Sequence, residues 1–347
     1  MKIALLAPFE ESVPPKKYGG TELVIYNLIT EFVSRGHDVT LFGVGDSQVP
    51  CKVEALFPHE LRTIPPYNTD LKSRETAKFH GISMMLSRLQ TMDFDMVHNH
   101  AGWRLLLFHQ FIHQPLVTTL HGPTTFVHEK MAYVSDPNLN FVSISDNQRQ
   151  GLPDLHYIAT VYNGLDMDTF DYNEKPEDYF VFLARFSPQK GAKEAIDVAK
   201  KAGIQLKMAC KIDVSDQAYY NSVKDAIDGE QIQLLGEMDH VQKVTLLKNA
   251  KGMLAPIQWE EPFGLFVVEA MACGTPVFGM RRGSFPELIE DEKNGFLADT
   301  VEEMAQQVKD IDTLSRSYCR QSVEAKFTKQ IMASKYLEVY QEILKER

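Results

Sequence analysis

The chain has 347 residues, more than one ordinary hydrophobic core supports, so two domains are the default reading. Apolar residues make up 44% and charged residues 24%, the balance of a soluble globular protein, and the net charge of −11 argues against wholesale binding to nucleic acid or an anionic membrane. The scattered cysteines Cys51, Cys210, Cys273 and Cys319 form no CxxC or Cys/His cluster, which argues against structural zinc and disulfides and points to a cytoplasmic protein with reduced thiols.

In chain order, Lys2–Ala7 reads as a strand that leads through Pro8–Lys17 to Gly19-Gly20-Thr21-Glu22 and an amphipathic helix, Thr21–Ser34. A glycine pair before a helix lets backbone approach a ligand closely. The plainer alternative is a flexible loop with Thr21 as the helix N-cap. It is no dinucleotide fingerprint, because no GxGxxG follows the strand. Further strands are read at Asp38–Phe42, Met96–His98, Leu116–Leu120, Phe141–Ile144 and Ile158–Tyr162. The intervening stretches Pro58–Lys78 and Pro123–Pro137 read as loops. His98 and His100 alternate at a strand end and read as packing residues, with no third ligand for zinc. The pairs Asp93/Asp95 and Asp166/Asp168 spell DxD, but read as a polar strand cap and a turn.

A polar stretch, Asp168–Asp178, marks the boundary between 1–168 and a second domain, 169–327. There the strands are Tyr179–Ala184, Leu206–Ala209, Ile232–Leu235, Met253–Ile257 and Pro276–Phe278, alternating with helices such as Ala192–Lys201, Val241–Asn249 and Leu265–Ala272. Continuous apolar strands alternating with helices predict an α/β protein with two doubly wound parallel sheets. A last helix, from Phe327 to Arg347, carries an apolar stripe of Ile331, Tyr336, Val339, Tyr340 and Ile343.

Two places in the second half carry chemistry. The first strand there ends in Arg185 and runs through Ser187-Pro188-Gln189-Lys190-Gly191 into a helix. A lysine at a helix start is electrostatically misplaced unless an anion sits there. Arg185 offers a planar fork for phosphate oxygens and Lys190 a compact point charge. The second place is Glu260-Glu261-Pro-Phe263-Gly264-Leu265, where carboxylates precede a helix that carries Glu269 among apolar neighbours. Unpaired carboxylates are costly on an apolar face, while the helix N-terminus between them suits phosphate. A ligand with both phosphates and hydroxyls, such as a nucleotide-sugar, fits. Trp103 and Trp259 read as packing residues.

These residues resemble a known family, the retaining glycosyltransferases of family 4. The stretch Glu261-Pro-Phe-Gly-Leu-Phe-Val-Val-Glu269 matches that family's E-x7-E motif and continues as Ala-Met-Ala-Cys-Gly-Thr-Pro-Val. Arg185 with Lys190-Gly191, Gly19-Gly20, Val97-His-Asn-His100, Thr119-Leu-His-Gly122 and Val161-Tyr-Asn-Gly-Leu-Asp166 support it. The resemblance covers nearly the whole chain. It implies the GT-B fold, two Rossmann-like domains facing across a cleft, with residues 328–347 crossing back onto the N-terminal domain.

The resemblance also implies roles. Arg185 and Lys190 would hold the donor diphosphate, and Glu269 the ribose hydroxyls. Glu261 would bind hydroxyls of the donor sugar, with the backbone of Phe263, Gly264 and Leu265 nearby. His121 would lie beside the transferred sugar, and Gly19 and Gly20 would approach the phosphates. The implied reaction moves a hexosyl unit from a nucleotide diphosphate sugar, UDP-sugar ahead of GDP-sugar, to an acceptor hydroxyl. No metal or cofactor is expected. Two departures, Ala184 for the usual glycine and Cys210-Lys211 for a small turn, leave the base open. The acceptor, whether sugar, lipid or small metabolite, is not legible, and a peripheral membrane contact stays open. The rival readings are another GT-B enzyme (a phosphorylase or an epimerase) and a non-catalytic nucleotide-sugar sensor.

Overall fold

Strands that read as unbroken apolar runs are stable only where helices cover both sheet faces, and both sheets of this chain are built from such runs. In the computed structural model, which describes residues 1–17 and 19–345, the first sheet contains β1 (Lys2–Leu6), β2 (Asp38–Val44), β3 (Lys52–Phe57), β4 (Met96–Asn99), β5 (Leu116–Thr119), β6 (Asn140–Ser143) and β7 (Tyr157–Thr160). Their order is β3-β2-β1-β4-β5-β6-β7, and every pairing is parallel. The second sheet holds β8 (Phe180–Arg185), β9 (Leu206–Lys211), β10 (Ile232–Leu234), β11 (Gly252–Ala255), β12 (Val277–Met280) and β13 (Gly295–Ala298). Its order is β10-β9-β8-β11-β12-β13, again all parallel.

The two orders are the same pattern. Each reverses direction once, between β1 and β4 and between β8 and β11. In doubly wound sheets ligands settle beyond the carboxyl ends of the strands at that reversal.

The chain divides into two units, Met1–Gly164 with Lys329–Arg347, and Leu165–Thr328. In the first, helix Lys329–Lys345 buries Met332, Ala333, Tyr336, Val339, Tyr340 and Ile343 against Val24, Leu28 and Phe32 of helix Gly20–Ser34. This helix starts later than the sequence suggests. The Phe327 carbonyl is taken by the Leu165 amide at 2.8 Å, and the buried Phe327 ring packs 6.0 Å from that of Phe263. Residues 346 and 347 of the expected helix lie outside the described residues.

Several elements escape sequence reading. Strand β3 is an edge strand whose side chains are mostly half-exposed, so its hydrophobic signal is weak. Strand β13, Gly-Phe-Leu-Ala, is too short to stand out. Helix Leu71–Leu89 takes the last eight residues of the stretch Pro58–Lys78, expected as loop, and runs on beyond it. Asp70 caps it by accepting from the Lys72 and Ser73 amides at 3.3 and 2.9 Å. Its buried face is Ala77, Gly81, Ile82, Met85, Leu86 and Leu89, a helical spacing hidden among charged residues. The stretch after Pro123 likewise contains helix Val127–Tyr133.

Candidate functional site

In the second unit the site is assembled from the loops that leave β8 and β11, the two strands at the reversal. Gly191 binds these loops together. Its backbone is left-handed (φ +75°), and a Cβ there would lie 1.8 Å from the Pro256 carbonyl oxygen, so only glycine fits. Beside it the Gln258 amide donates to the Gln189 carbonyl at 2.8 Å. This tie brings Lys190 to Glu261, and the two side chains form an ion pair. The ammonium also lies 5.2 Å from the Trp259 ring centre and 5.0 Å from that of Phe266. Trp259 Nε1 donates to Glu261 Oε2 at 2.9 Å. Glu261 is buried, and these partners offset its desolvation.

The turn after Glu261 is fastened from the loop that follows β12. The Ser284 amide donates to the Glu261 carbonyl at 2.9 Å, and Ser284 Oγ to the Phe263 carbonyl at 2.5 Å. The Gly283 amide donates to Glu260 Oε2 at 2.7 Å, so this carboxylate holds the loop. Gly264, left-handed at φ +83°, then opens helix Leu265–Ala272 with no side-chain cap. Its first-turn amides are the anion-binding kind. Glu269, one turn in and buried, is paired with Lys243 of helix His240–Asn249 at 2.5 Å. Arg185, at the end of β8, is held through Nε by Asp216 at 3.1 Å. Burial pushes the Asp216 carboxyl up, and the Arg185 charge opposes that shift.

In the first unit, helix Gly20–Ser34 begins with Gly19 as its cap and without a side-chain hydrogen bond. Thr21 is therefore inside the helix and does not cap it. A Cβ on Gly19 would meet Pro15 Cβ at 2.6 Å. Glu22 lies buried beside this turn. Burial pushes its carboxyl up to about 7, with Glu10 and Glu11 adding to the shift while its own backbone amide and Arg62 oppose it.

Beyond β4 and β5 lies a cluster of neutral histidines. His98 is wholly buried, with Nδ1 2.6 Å from the Tyr340 hydroxyl and Nε2 2.7 Å from Thr119 Oγ1, which in turn meets the Tyr336 hydroxyl at 2.9 Å. His100 Nδ1 lies 2.7 Å from His121 Nε2. Burial lowers all three imidazoles, His121 to about 4 and the other two well below their ordinary value. The loop around His121 is pinned by Gln148, whose amide nitrogen donates to the Leu120 and Gly122 carbonyls at 2.9 and 2.7 Å.

The structure thus joins Lys190 to Glu261 and sets Phe263, Gly264, Leu265 and Glu269 along the same turn and helix. Arg185 leaves the adjacent strand but pairs with neither glutamate. Gly19, Gly20 and His121 belong to the other unit. Sequence reasoning missed Lys243, Asp216 and the hydrogen bond of Trp259, which had been read as packing. Only for Lys243 was there a usable signal, a lysine on a helix beside Val244 and Leu247, which are buried. Among the described residues no group of three or more His, Cys, Asp or Glu is arranged to hold a metal ion, and no helix is long and apolar enough to cross a membrane.

Comparison with known proteins bears on this geometry. The family described as "Glycosyl transferases group 1" matches residues 168–330, and "Glycosyltransferase Family 4" matches residues 18–169. N-acetyl-alpha-D-glucosaminyl L-malate synthase of Bacillus anthracis is 23% identical over 94% of this chain and 95% of its own length. Sucrose-phosphate synthase from Thermosynechococcus elongatus superposes with a TM-score of 0.80 at 18% identity, over all of both chains. Anabaena Alr3699/HepE, solved in complex with UDP and glucose, has a TM-score of 0.76 at 18% identity, over 99% of this chain and 100% of its own. These superpositions extend over the GT-B fold.

Proposed function

This chain belongs to glycosyltransferase family 4 and is a glycosyltransferase, and we propose that it moves a hexosyl unit from UDP-sugar to an acceptor hydroxyl with retention and without a metal. The observation that carries this reading is the pairing of Lys190 with Glu261 at the uncapped start of helix Leu265–Ala272, with Glu269 one turn further on. A cation beside free helix amides suits a diphosphate, and two buried carboxylates suit sugar and ribose hydroxyls.

In this reading Glu269, paired with Lys243, accepts from the ribose hydroxyls. Glu261 accepts from hydroxyls of the donor sugar. As the bond from the anomeric carbon to the phosphate oxygen breaks, negative charge grows on the leaving diphosphate. Lys190, Arg185 and the amides of Gly264 and Leu265 stabilise it as it forms. The acceptor oxygen bonds to the anomeric carbon from the same face, and its proton passes to the departing phosphate oxygen. No side chain is needed as a base. The complex of Alr3699/HepE with UDP and glucose supports uracil as the base.

The experiment is a screen of nucleotide-sugars for thermal stabilisation and slow hydrolysis, with and without inorganic phosphate. Stabilisation and nucleoside diphosphate release with a UDP-sugar, independent of phosphate and of chelator, is the expected result. Release that requires phosphate would point to a phosphorylase. Stabilisation without turnover across many acceptors would point to a sensor.

A further inference from the structure

His100 follows β4 with its backbone fixed, its amide donating to the Leu6 carbonyl of β1 at 2.9 Å. The residue is 2% exposed, and its ring centre lies 3.9 Å from that of His98. Of its two nitrogens, Nδ1 meets His121 Nε2 at 2.7 Å and Nε2 is buried with no partner. Two neutral imidazoles sharing one hydrogen bond need one donor and one acceptor, so the proton can sit in only two ways.

If His121 donated, His100 would carry its own proton on Nε2 as a buried N–H with no acceptor. Orphaned buried N–H groups are the rarest kind in folded proteins, and under-satisfied acceptors are better tolerated. The other arrangement leaves only a bare ring nitrogen at that place. His100 is then the donor through Nδ1, His121 Nε2 accepts, and the proton of His121 resides on Nδ1.

We propose that His100 is a positioning residue that fixes the tautomer of His121, so that His121 offers Nδ1–H as a neutral hydrogen-bond donor to an oxygen of the transferred sugar. The proposal rests on the reading above that His121 lies beside that sugar. His98 supports the arrangement without joining it. Both its nitrogens are taken by Tyr340 and Thr119, and its ring covers one face of His100.

The test pairs a spectroscopic readout with kinetics. Nitrogen-15 NMR of histidine-labelled protein should show His121 protonated on Nδ1 at neutral pH. In His100→Leu, His121 should redistribute toward the Nε2–H tautomer. In His100→Asn, whose amide nitrogen reaches about where Nδ1 was, the original tautomer should return. With donor and acceptor identified, kcat should fall roughly fivefold in His100→Leu, the loss typical of one neutral hydrogen bond. It should recover most of that in His100→Asn, with nucleoside diphosphate affinity unchanged in both. An Nε2–H tautomer in the unaltered protein overturns the proposal, and that measurement needs no variant to fold. So does a His121 tautomer indifferent to His100→Leu. The predicted tautomers with unchanged kcat in His100→Leu would instead remove His121 from the sugar and leave the pairing intact.

Discussion

At the reversal of its sheet the second unit places full charges, Lys190 against Glu261 and Lys243 against Glu269, at helix starts and loop ends. The first unit has the same strand order, yet at the corresponding place it buries neutral groups: His98, His100, His121, Thr119 and two tyrosines. The difference is one of what each half must do. A paired charge can be exchanged, so a lysine held by a carboxylate is ready for a phosphate of the same sign as that carboxylate. A buried neutral network cannot be exchanged cheaply, but it fixes proton positions and so directs hydrogen bonds. On the proposed reading, one half would recognise charge and the other direction.

This contrast can be broken most sharply at Lys190. Lys190→Ala should lower kcat by on the order of 10²–10³, the usual cost of one transition-state charge donor, with the fold intact by circular dichroism. Near-normal single-turnover rates would remove the charge-exchange account. Glu269→Ala should act on binding: loss of a hydrogen bond to a charged group corresponds to roughly 10–100-fold weaker nucleoside diphosphate affinity by calorimetry. Unchanged affinity would count against the ribose contact.

The smallest effect belongs to the neutral half and is a matter of pH. The folded-state pKa values of His98, His100 and His121 lie below the ordinary 6.5, so acidification protonates the unfolded chain first and stability falls. Glu22 is raised from 4.5 to about 7, so acidification protonates the folded state first and stability rises. Between pH 7 and 6 the three histidines together cost about 2 kcal/mol, while Glu22 returns about 1 kcal/mol. A net loss of about 1 kcal/mol is therefore expected, read as a melting temperature lower by a few degrees. Glu22→Gln should roughly double that slope, and a pH-independent melt in this window would show that the histidines are not held neutral.

Much of this was open to inspection in the amino-acid string. The E-x7-E stretch and Arg185–Gly191 announce themselves because charge sits where apolar residues and helix starts make it unfavourable without a ligand. Helix Leu71–Leu89 did not, since its six buried positions are interrupted by Lys78, His80, two serines and Arg88, which mask the period. The pairings made by Lys243 and Asp216 were illegible for another reason. Lys243 lies 26 residues from Glu269, and Asp216 belongs to a different loop from Arg185, so no local pattern links them.

What the sequence determined by itself is the architecture and the run of charged residues in the second unit. Hydrophobic period, glycine placement and the cost of a stray carboxylate are local properties, written within one turn or one strand. What only the tertiary structure decided is which groups neutralise one another and where protons rest. The meeting of His98 with Tyr340, 242 positions apart, and of His100 with His121 depends on strand order and on the return of the last helix. A tautomer is set by contacts, and contacts between distant positions exist only once the chain has folded.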